Sequence, residues 1–177
     1  TTTTQFFQKQ LKFKKMKNKK CPEKKFCFAY RDSNCENCVF GEEFTSAGYG
    51  FVSVNYRMYP NAKFPDFIKD CAYSIRWLKD NIKDYGKCNR IFVGGSSAGG
   101  YLSMMLCFDE RYLKEVGILP TDIAGYIHDA GQPTAHFNVL KELGKDSRRL
   151  IVDETAPLYF VGLKEKYSPM LFLVSVS

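Results

Sequence analysis

One short segment carries residues whose types and spacing suit nucleophilic chemistry. Gly95, Ser97 and Gly99 have the spacing Gly-x-Ser-x-Gly, typical of a serine placed on a sharp turn between a strand and a helix. The flanking glycines are needed because a side chain at either position would keep the strand and the helix apart. The turn raises the Ser97 hydroxyl above the sheet edge. We therefore predict that Ser97 is a catalytic nucleophile; a glycine-rich structural turn is the alternative.

The helix that follows Ser97 is predicted to supply the second chemical function. Its first N–H groups, Ala98 foremost, point to where an oxyanion would develop, because a helix N-terminus presents free donors and the positive end of the dipole. The predicted turn itself consists of Gly95, Ser96, Gly99 and Gly100.

The chain contains two histidines, and each is considered as a base. His128 ends a predicted strand, where a structural histidine is the favoured interpretation. His136 lies in the loop that follows and could swing toward Ser97. Either would form a Ser–His dyad, since such sites are defined by geometry rather than by order in the chain. A dyad is the less favoured interpretation for both.

Alternating strands and helices are predicted to position this segment. Near-continuous apolar strands are predicted at residues 51–56, 90–93, 123–128 and 170–175. An amphipathic helix is predicted from residue 65 to about 83, a second helix at 98–108 and a short one at 137–143. Strands of this kind, separated by helices, indicate a mostly parallel sheet with helices on both faces. The fold class is therefore α/β.

The basic character of the chain belongs to its first twenty residues. The formal net charge is +7, and residues 1–20 hold seven lysines and no acid. A solvated, mobile arm is the favoured interpretation, and an anion-binding patch for nucleic acid or a membrane is the alternative. The sequence shows neither a secretory signal pattern nor the ~18 apolar residues of a membrane span. We predict a cytoplasmic location, no nucleic-acid partner and no membrane span.

The cysteines are interpreted as reduced thiols rather than as a disulfide framework. There are seven, an odd number. A zinc knuckle is the alternative for the four early cysteines, of which only the last two have ligand spacing: Cys21, Cys27, Cys35 and Cys38. A small cysteine- and lysine-rich N-terminal binding module for zinc or nucleic acid, fused to a hydrolase remnant, is a further alternative. We predict no metal and no cofactor.

Five stretches occur in an order typical of a known family. They are residues 48–57 (GYGFVSVNYR), Phe64-Pro65, Asp70, residues 75–78 (IRWL) and residues 90–100 (RIFVGGSSAGG). Together they resemble the α/β-hydrolase fold, in its bacterial esterase/lipase branch near the acetyl-xylan-esterase-like and hormone-sensitive-lipase-like enzymes. The resemblance covers about residues 44–177. It implies a partial domain at 41–177 that holds family strands 4 to 7, preceded by a basic, cysteine-containing segment at 1–40 that is either disordered or atypical of the family.

The resemblance also implies an activity. A serine hydrolase of small acyl esters would act through an acyl-serine at Ser97, without a cofactor. The loop at residues 129–133 would border an acyl pocket that includes Gln132 and Tyr101. The family's acid is expected just after the strand at 170–175 and its histidine beyond the next strand, both past the last residue. Its glycine-rich oxyanion loop is expected near residues 24–33, which contain no glycine.

From these departures we expect a truncated and impaired enzyme. Missing strands would leave sheet edges unpaired, so self-association through them is expected. A non-catalytic hydrolase-like remnant or binding protein is the alternative function.

Overall fold

The computed structural model describes residues 11–13, 25–30, 39–86, 88 and 90–174. Most of the basic arm at residues 1–20 lies outside the described residues. So do three of the four clustered cysteines, Cys21, Cys35 and Cys38, and the zinc alternative therefore stays a prediction.

Within the described residues the chain forms a six-stranded sheet with the order β1-β3-β2-β4-β5-β6. Strands β2 to β6 run parallel, and β1 is antiparallel to β3. The bounds are Leu11–Phe13 (β1), Lys25–Tyr30 (β2), Tyr49–Val54 (β3), Ile91–Ser96 (β4), Gly125–Asp129 (β5) and Met170–Leu173 (β6). The predicted α/β class and mostly parallel sheet are confirmed.

Strands β1 and β2 were not predicted. β2 lies between β3 and β4 and pairs with both, and β1 pairs with β3. The sheet therefore extends beyond the four predicted strands, and residues 25–30 of the expected oxyanion-loop stretch form a strand. The predicted domain boundary between residues 40 and 41 stays a prediction. Strands β1 and β2 both lie on the N-terminal side of that boundary.

The helices occupy both faces of the sheet, as predicted. Their bounds are Val39–Ser46 (α1), Asp66–Asn81 (α2), Ala98–Phe108 (α3), Glu110–Glu115 (α4) and Phe137–Glu142 (α5), with short 3₁₀ turns at Ile82–Asp84, Pro120–Asp122 and Pro157–Phe160. The connection from β2 through α1 to β3 moves across the sheet in one direction, and those through α2 and α3 move in the other. Because such crossovers are right-handed, α1 lies on one face and α2 and α3 lie on the opposite face.

Burial on α2 follows the predicted apolar period. Ile68, Cys71, Ile75 and Leu78 are fully buried, whereas residues on the opposite side of the helix are partly or fully exposed. Helix α3 is buried from Gly99 to Phe108, because the sheet covers one side of it and α2 and α4 pack on the others. The segment that follows Ser97 is therefore held by the core of the protein.

One ion pair fixes the loop after β3 to α2. The Arg57 guanidinium donates to the buried Asp70 carboxylate at 2.7 and 2.9 Å, and the Arg57 backbone N–H donates to the same group at 3.0 Å. The pairing raises the pKa of Arg57. The two residues thus hold the loop after β3 against the start of α2.

Candidate active site

Ser97 lies at the turn between β4 and α3 in a backbone conformation that L-residues rarely adopt. Its φ is 55° and its ψ is −114°, and its side chain is exposed. Its backbone N–H donates to Asp129 O at 2.9 Å, and its carbonyl accepts from Tyr101 N at 3.0 Å. The backbone of Ser97 is therefore held from both sides, while the hydroxyl is left accessible.

The close approach expected of the flanking glycines is present at Gly95. A Cβ on Gly95 would lie 2.5 Å from the carbonyl carbon and oxygen of Gly99. Because both contacts are with backbone, no side-chain rotation could relieve them. Gly95 is thus required by the packing of the last residues of β4 against the first turn of α3.

A second glycine contact was not predicted from the sequence. A Cβ on Gly131 would lie 2.5 Å from Gly100 C, and one on Gly100 would lie 2.6 Å from Asp129 O. Gly131 therefore lets the loop after β5 pack against the first turn of α3. The signal available in the sequence was a glycine just after an apolar strand; the structure adds that its neighbour Ala130 has a φ of 46°.

Ala98 presents a free donor beside Ser97. As the first residue of α3 it has no partner for its N–H within the helix, and none is found among the described residues. The N–H of Ser97 already donates to Asp129 O. The next backbone N–H along the chain, that of Ala98, is therefore the free donor closest in sequence to the Ser97 hydroxyl. The arrangement matches what an oxyanion requires: a backbone donor at a helix N-terminus.

A cavity of about 580 Å³ opens beside this turn. Its inner wall is mostly apolar, and its charged groups, Lys63, Lys141 and Glu142, are at least partly exposed. The loop after β3, the start of α2, the first turn of α3 and helix α5 contribute the remaining lining residues: Tyr56, Met58, Tyr59, Phe67, Ala98, Tyr101, Leu102, His136, Asn138 and Val139.

The two predicted pocket residues differ in position. Tyr101 lines the cavity with its ring, while its hydroxyl donates to Thr155 O at 2.7 Å and burial raises the pKa of that hydroxyl. Gln132 lies outside the lining. Its amide nitrogen donates to Thr134 Oγ1 at 3.0 Å and to Ala135 O at 2.9 Å, so it stabilises the loop.

His128 is enclosed in the core on β5. Its Nδ1 lies 2.8 Å from Ser103 Oγ, and Phe172, Phe108 and Tyr126 surround the ring. The Ser103 hydroxyl lies within hydrogen-bond distance of Gly100 O as well, which favours donation from Nδ1–H to Ser103, and Nε2 has no partner in the described part of the chain. Burial lowers the pKa of His128 to about 4.

His136 lines the cavity at the start of α5. Its Nδ1 accepts from Asn138 N at 3.3 Å, and its ring packs between Phe137 and Tyr101. Burial lowers the pKa of His136. No hydrogen bond joins either histidine to Ser97 within the described residues, so the role of His136 or His128 as a base stays a prediction.

No group of metal-ligating residues occurs in the ranges that the structure covers. A helix long and apolar enough to cross a membrane is likewise not found in them. The predicted cytoplasmic location and the predicted lack of a nucleic-acid partner stay predictions.

The mostly parallel sheet and its strand–turn–helix segment are those of the α/β-hydrolase fold. Comparison with known families gives the same class and a narrower assignment. The chain belongs to the BD-FAE family, whose model matches residues 29–170.

Relatives of known name agree with this class. The chain is 42% identical over 123 residues to an arylesterase of Saccharolobus solfataricus, covering 67% of this chain and 39% of that protein. It is 32% identical over 98 residues to Lipase 2 of Moraxella sp. (strain TA144), covering 55% of this chain and 22% of the relative. The chain thus spans between about a fifth and two fifths of the length of these relatives.

Solved structures show the same fold. Esterase 2 of Thermogutta terrifontis superposes with a TM-score of 0.66 at 16% identity, over 92% of this chain and 65% of that one. Esterase B of Lactobacillus rhamnosis gives a TM-score of 0.66 at 18% identity, over 85% and 54%.

Proposed function

We propose that the chain is a carboxylic-ester hydrolase of small acyl esters in which Ser97 is the nucleophile. The observation that carries the proposal is the backbone of Ser97. It holds an exposed hydroxyl in a left-handed conformation between β4 and α3, next to the free Ala98 N–H. A strained serine at a strand–helix turn is typical of the nucleophile in this fold.

The geometry supports attack by Ser97 Oγ on the ester carbonyl carbon. The carbonyl oxygen becomes an oxyanion that accepts a hydrogen bond from Ala98 N–H, and collapse of this intermediate expels the alcohol and leaves an acyl-serine. Water then releases the acid and restores Ser97. The proton of the Ser97 hydroxyl has to pass to a base, and to the alcohol as it leaves.

The base is the part of the mechanism that the described residues do not supply. In His128 and His136 the Nδ1 atom is bonded to Ser103 and to Asn138 N respectively. Serine enzymes that lose their base turn over about 10⁴- to 10⁶-fold more slowly. We therefore propose a low rate for this chain as it stands.

The substrate class is proposed from the relatives and from the cavity. The relatives' names, arylesterase and lipase, both denote hydrolysis of carboxylic esters. The cavity, at about 580 Å³ and with aromatic and aliphatic walls, has the size and polarity of a site for a small apolar group. Small acyl esters therefore fit better than charged substrates.

The test compares Ser97 with its neighbour. Wild type, Ser97→Ala and the matched control Ser96→Ala are assayed with p-nitrophenyl acetate and treated with a fluorophosphonate, and the labelled site is found by mass spectrometry. We expect wild type and Ser96→Ala to be labelled at Ser97 and to hydrolyse the ester above the Ser97→Ala level. Equal labelling and equal rates in all three proteins would contradict the proposal.

The missing proton acceptor gives a further comparison. If Ser97 lacks a positioned base, its labelling rate should rise in proportion to added imidazole, and Ser97→Ala should stay unlabelled. A rate that is independent of imidazole would show that a base is already in place.

A non-catalytic binding protein is the second candidate function. The observation that favours it is the hydrogen bonding of both histidines to groups other than Ser97. In that case the fluorophosphonate should label none of the three proteins, while small apolar amides still bind in the cavity.

A further inference from the structure

A buried histidine places a polar group on the apolar wall of the cavity. His136 is 8% exposed, and it lines the cavity together with Ala98 and Tyr101. The Tyr101 hydroxyl cannot serve a ligand there, because it donates to Thr155 O. Among the buried side chains of the lining, the imidazole of His136 is therefore the polar group left for a ligand.

The hydrogen bond to Nδ1 determines where the ring proton lies. Asn138 N–H donates to Nδ1 at 3.3 Å, so in the neutral imidazole Nδ1 is the acceptor and Nε2 carries the hydrogen. Burial lowers the pKa of His136, which favours this neutral form at pH 7. Nε2 has no hydrogen-bond partner among the described residues. It is not sealed from solvent, since His128 Nε2 is the one buried polar side-chain atom without a partner in the described part of the chain. A ligand that covers the Nε2–H donor without accepting from it therefore loses the free energy of that donor's hydration.

Two aromatic rings fix the orientation of the imidazole. The centroid of the Phe137 ring lies 4.4 Å from that of His136, in a stacked arrangement, and the centroid of Tyr101 lies 5.2 Å away. Rotation of the ring would break the bond to Asn138 as well as these contacts. The Nε2–H donor is thus held in place before a ligand arrives.

We propose that the cavity binds the acyl group of the ester and that His136 Nε2–H donates a hydrogen bond to an acceptor oxygen on the acyl chain. This inference rests on the proposed role of Ser97. It identifies the substrate class as esters whose acyl chain carries an ether, hydroxyl or carbonyl oxygen beyond the ester group. A purely aliphatic acyl chain would cover this donor without accepting its hydrogen bond and would be disfavoured.

The same arrangement separates His136 from a general base. A base must present a bare nitrogen to the serine, and in His136 one nitrogen is occupied by Asn138 while the other carries the hydrogen. His136 is thus assigned to specificity rather than to proton abstraction.

The test uses pairs of substrates with matched shape. Each pair compares a p-nitrophenyl ester that has an ether oxygen in its acyl chain with the all-carbon analogue, beginning with methoxyacetate against butyrate. Longer pairs place the oxygen one and two atoms further out. The ratio of the two kcat/KM values is measured for wild type, His136→Phe and His136→Gln. Differences in intrinsic reactivity cancel when the ratios of the proteins are compared.

We expect His136→Phe to lower the ether-to-carbon ratio by about 2- to 12-fold in at least one pair, the range for one neutral hydrogen bond. His136→Gln retains an N–H donor and should keep more of the preference. The inference is overturned if the ratio is the same in all three proteins for every pair, or if Gln and Phe change it equally.

A second measurement does not depend on turnover. In the chain with ¹⁵N-labelled histidine, long-range proton–nitrogen correlation at pH 7 should show His136 as the neutral Nε2–H form. Methoxyacetamide should shift the Nε2 resonance, and butyramide should shift it less. A charged or Nδ1–H form, or equal shifts with both amides, contradicts the inference even if Ser97 is the nucleophile. Conversely, unlabelled Ser97 with the expected shifts would refute the proposed catalysis alone.

Discussion

Replacing Ser97 by glycine should make the protein more stable while removing the proposed nucleophile. A non-glycine residue at φ 55° and ψ −114° carries backbone strain, which glycine does not. The hydroxyl is exposed and has no hydrogen-bond partner among the described residues, so its loss should cost little.

The magnitude follows from two opposing terms. Strain of this kind is worth about 1–3 kcal/mol. Glycine also increases the entropy of the unfolded chain, which lowers the free energy of unfolding by about 0.4–1 kcal/mol. We therefore expect Ser97→Gly to raise the free energy of unfolding by about 1 kcal/mol, which corresponds to about 2–4 °C in Tm for a domain of this size.

Neighbouring variants provide the controls. Ser97→Ala keeps the Cβ and the strain, and should melt within about 0.5 kcal/mol of wild type. Ser96 has no positive φ, so Ser96→Gly should lower stability by about 0.5–1 kcal/mol. Thermal and urea unfolding of the four proteins measures these differences. If Ser97→Gly loses stability as Ser96→Gly does, the serine is not strained and the argument for a nucleophile turn fails.

Three further predictions concern the surroundings of the turn. Gly131→Ala should lower the free energy of unfolding by about 1–3 kcal/mol, because its Cβ would lie 2.5 Å from backbone; an unchanged urea midpoint would refute the contact. Asp70→Asn should cost about 1–3 kcal/mol through loss of its ion pair with a partly exposed arginine, whereas Asp80→Asn, from an exposed pair on the same helix, should change the urea midpoint little. Stability should fall between about pH 6.5 and 4 by up to about 3 kcal/mol, because the unfolded chain binds a proton that His128, with its pKa lowered to about 4, does not. In His128→Phe the urea midpoint should depend less on pH over this range; an unchanged dependence would refute that assignment.

The strand–turn–helix segment could be predicted from the sequence because its signals are local. The apolar run, the glycine spacing and the helical period all fall within residues 90–108, and helix α3 has the predicted bounds. The last residue of β4 could not be predicted from the sequence, which places the end of the strand at residue 93 rather than at Ser96. Gly95 and Ser96 look like turn residues, yet they remain in the strand because Gly95 pairs with Tyr30 on one side and with His128 on the other.

The N-terminal strands could not be predicted because their evidence is not local. The stretch at residues 25–30 is only six residues long and follows a lysine-rich region, and such a region is expected to be solvated. Their pairing partners, β3 and β4, lie far along the chain. A parallel strand of this kind is stabilised by hydrogen bonds to distant residues rather than by its own composition.

The chemistry of the histidines depends on contacts that no spacing reveals. The sequence places His136 in a loop after a strand, where it could act as a base. The hydrogen bond from Asn138 N, formed as α5 begins, makes Nε2–H a donor instead. His128 becomes a core residue because Ser103 and three aromatic rings enclose it.

Ser97 and His136 therefore have opposite proposed roles in hydrogen bonding, although both adjoin the same cavity, which is lined by His136 and by Ala98, the neighbour of Ser97. In the proposed reaction Ser97 needs an acceptor for its proton, whereas His136 is proposed to offer a hydrogen-bond donor. The backbone of Ser97 is tied to Asp129 and Tyr101, and only its side chain is exposed, so a base must approach it from the solvent side. A slow reaction would not hide the proposed selectivity of His136, since the lack of a base among the described residues would slow both esters of a matched pair equally. The proposed preference for an acyl oxygen can thus be measured even where the absolute rate is small.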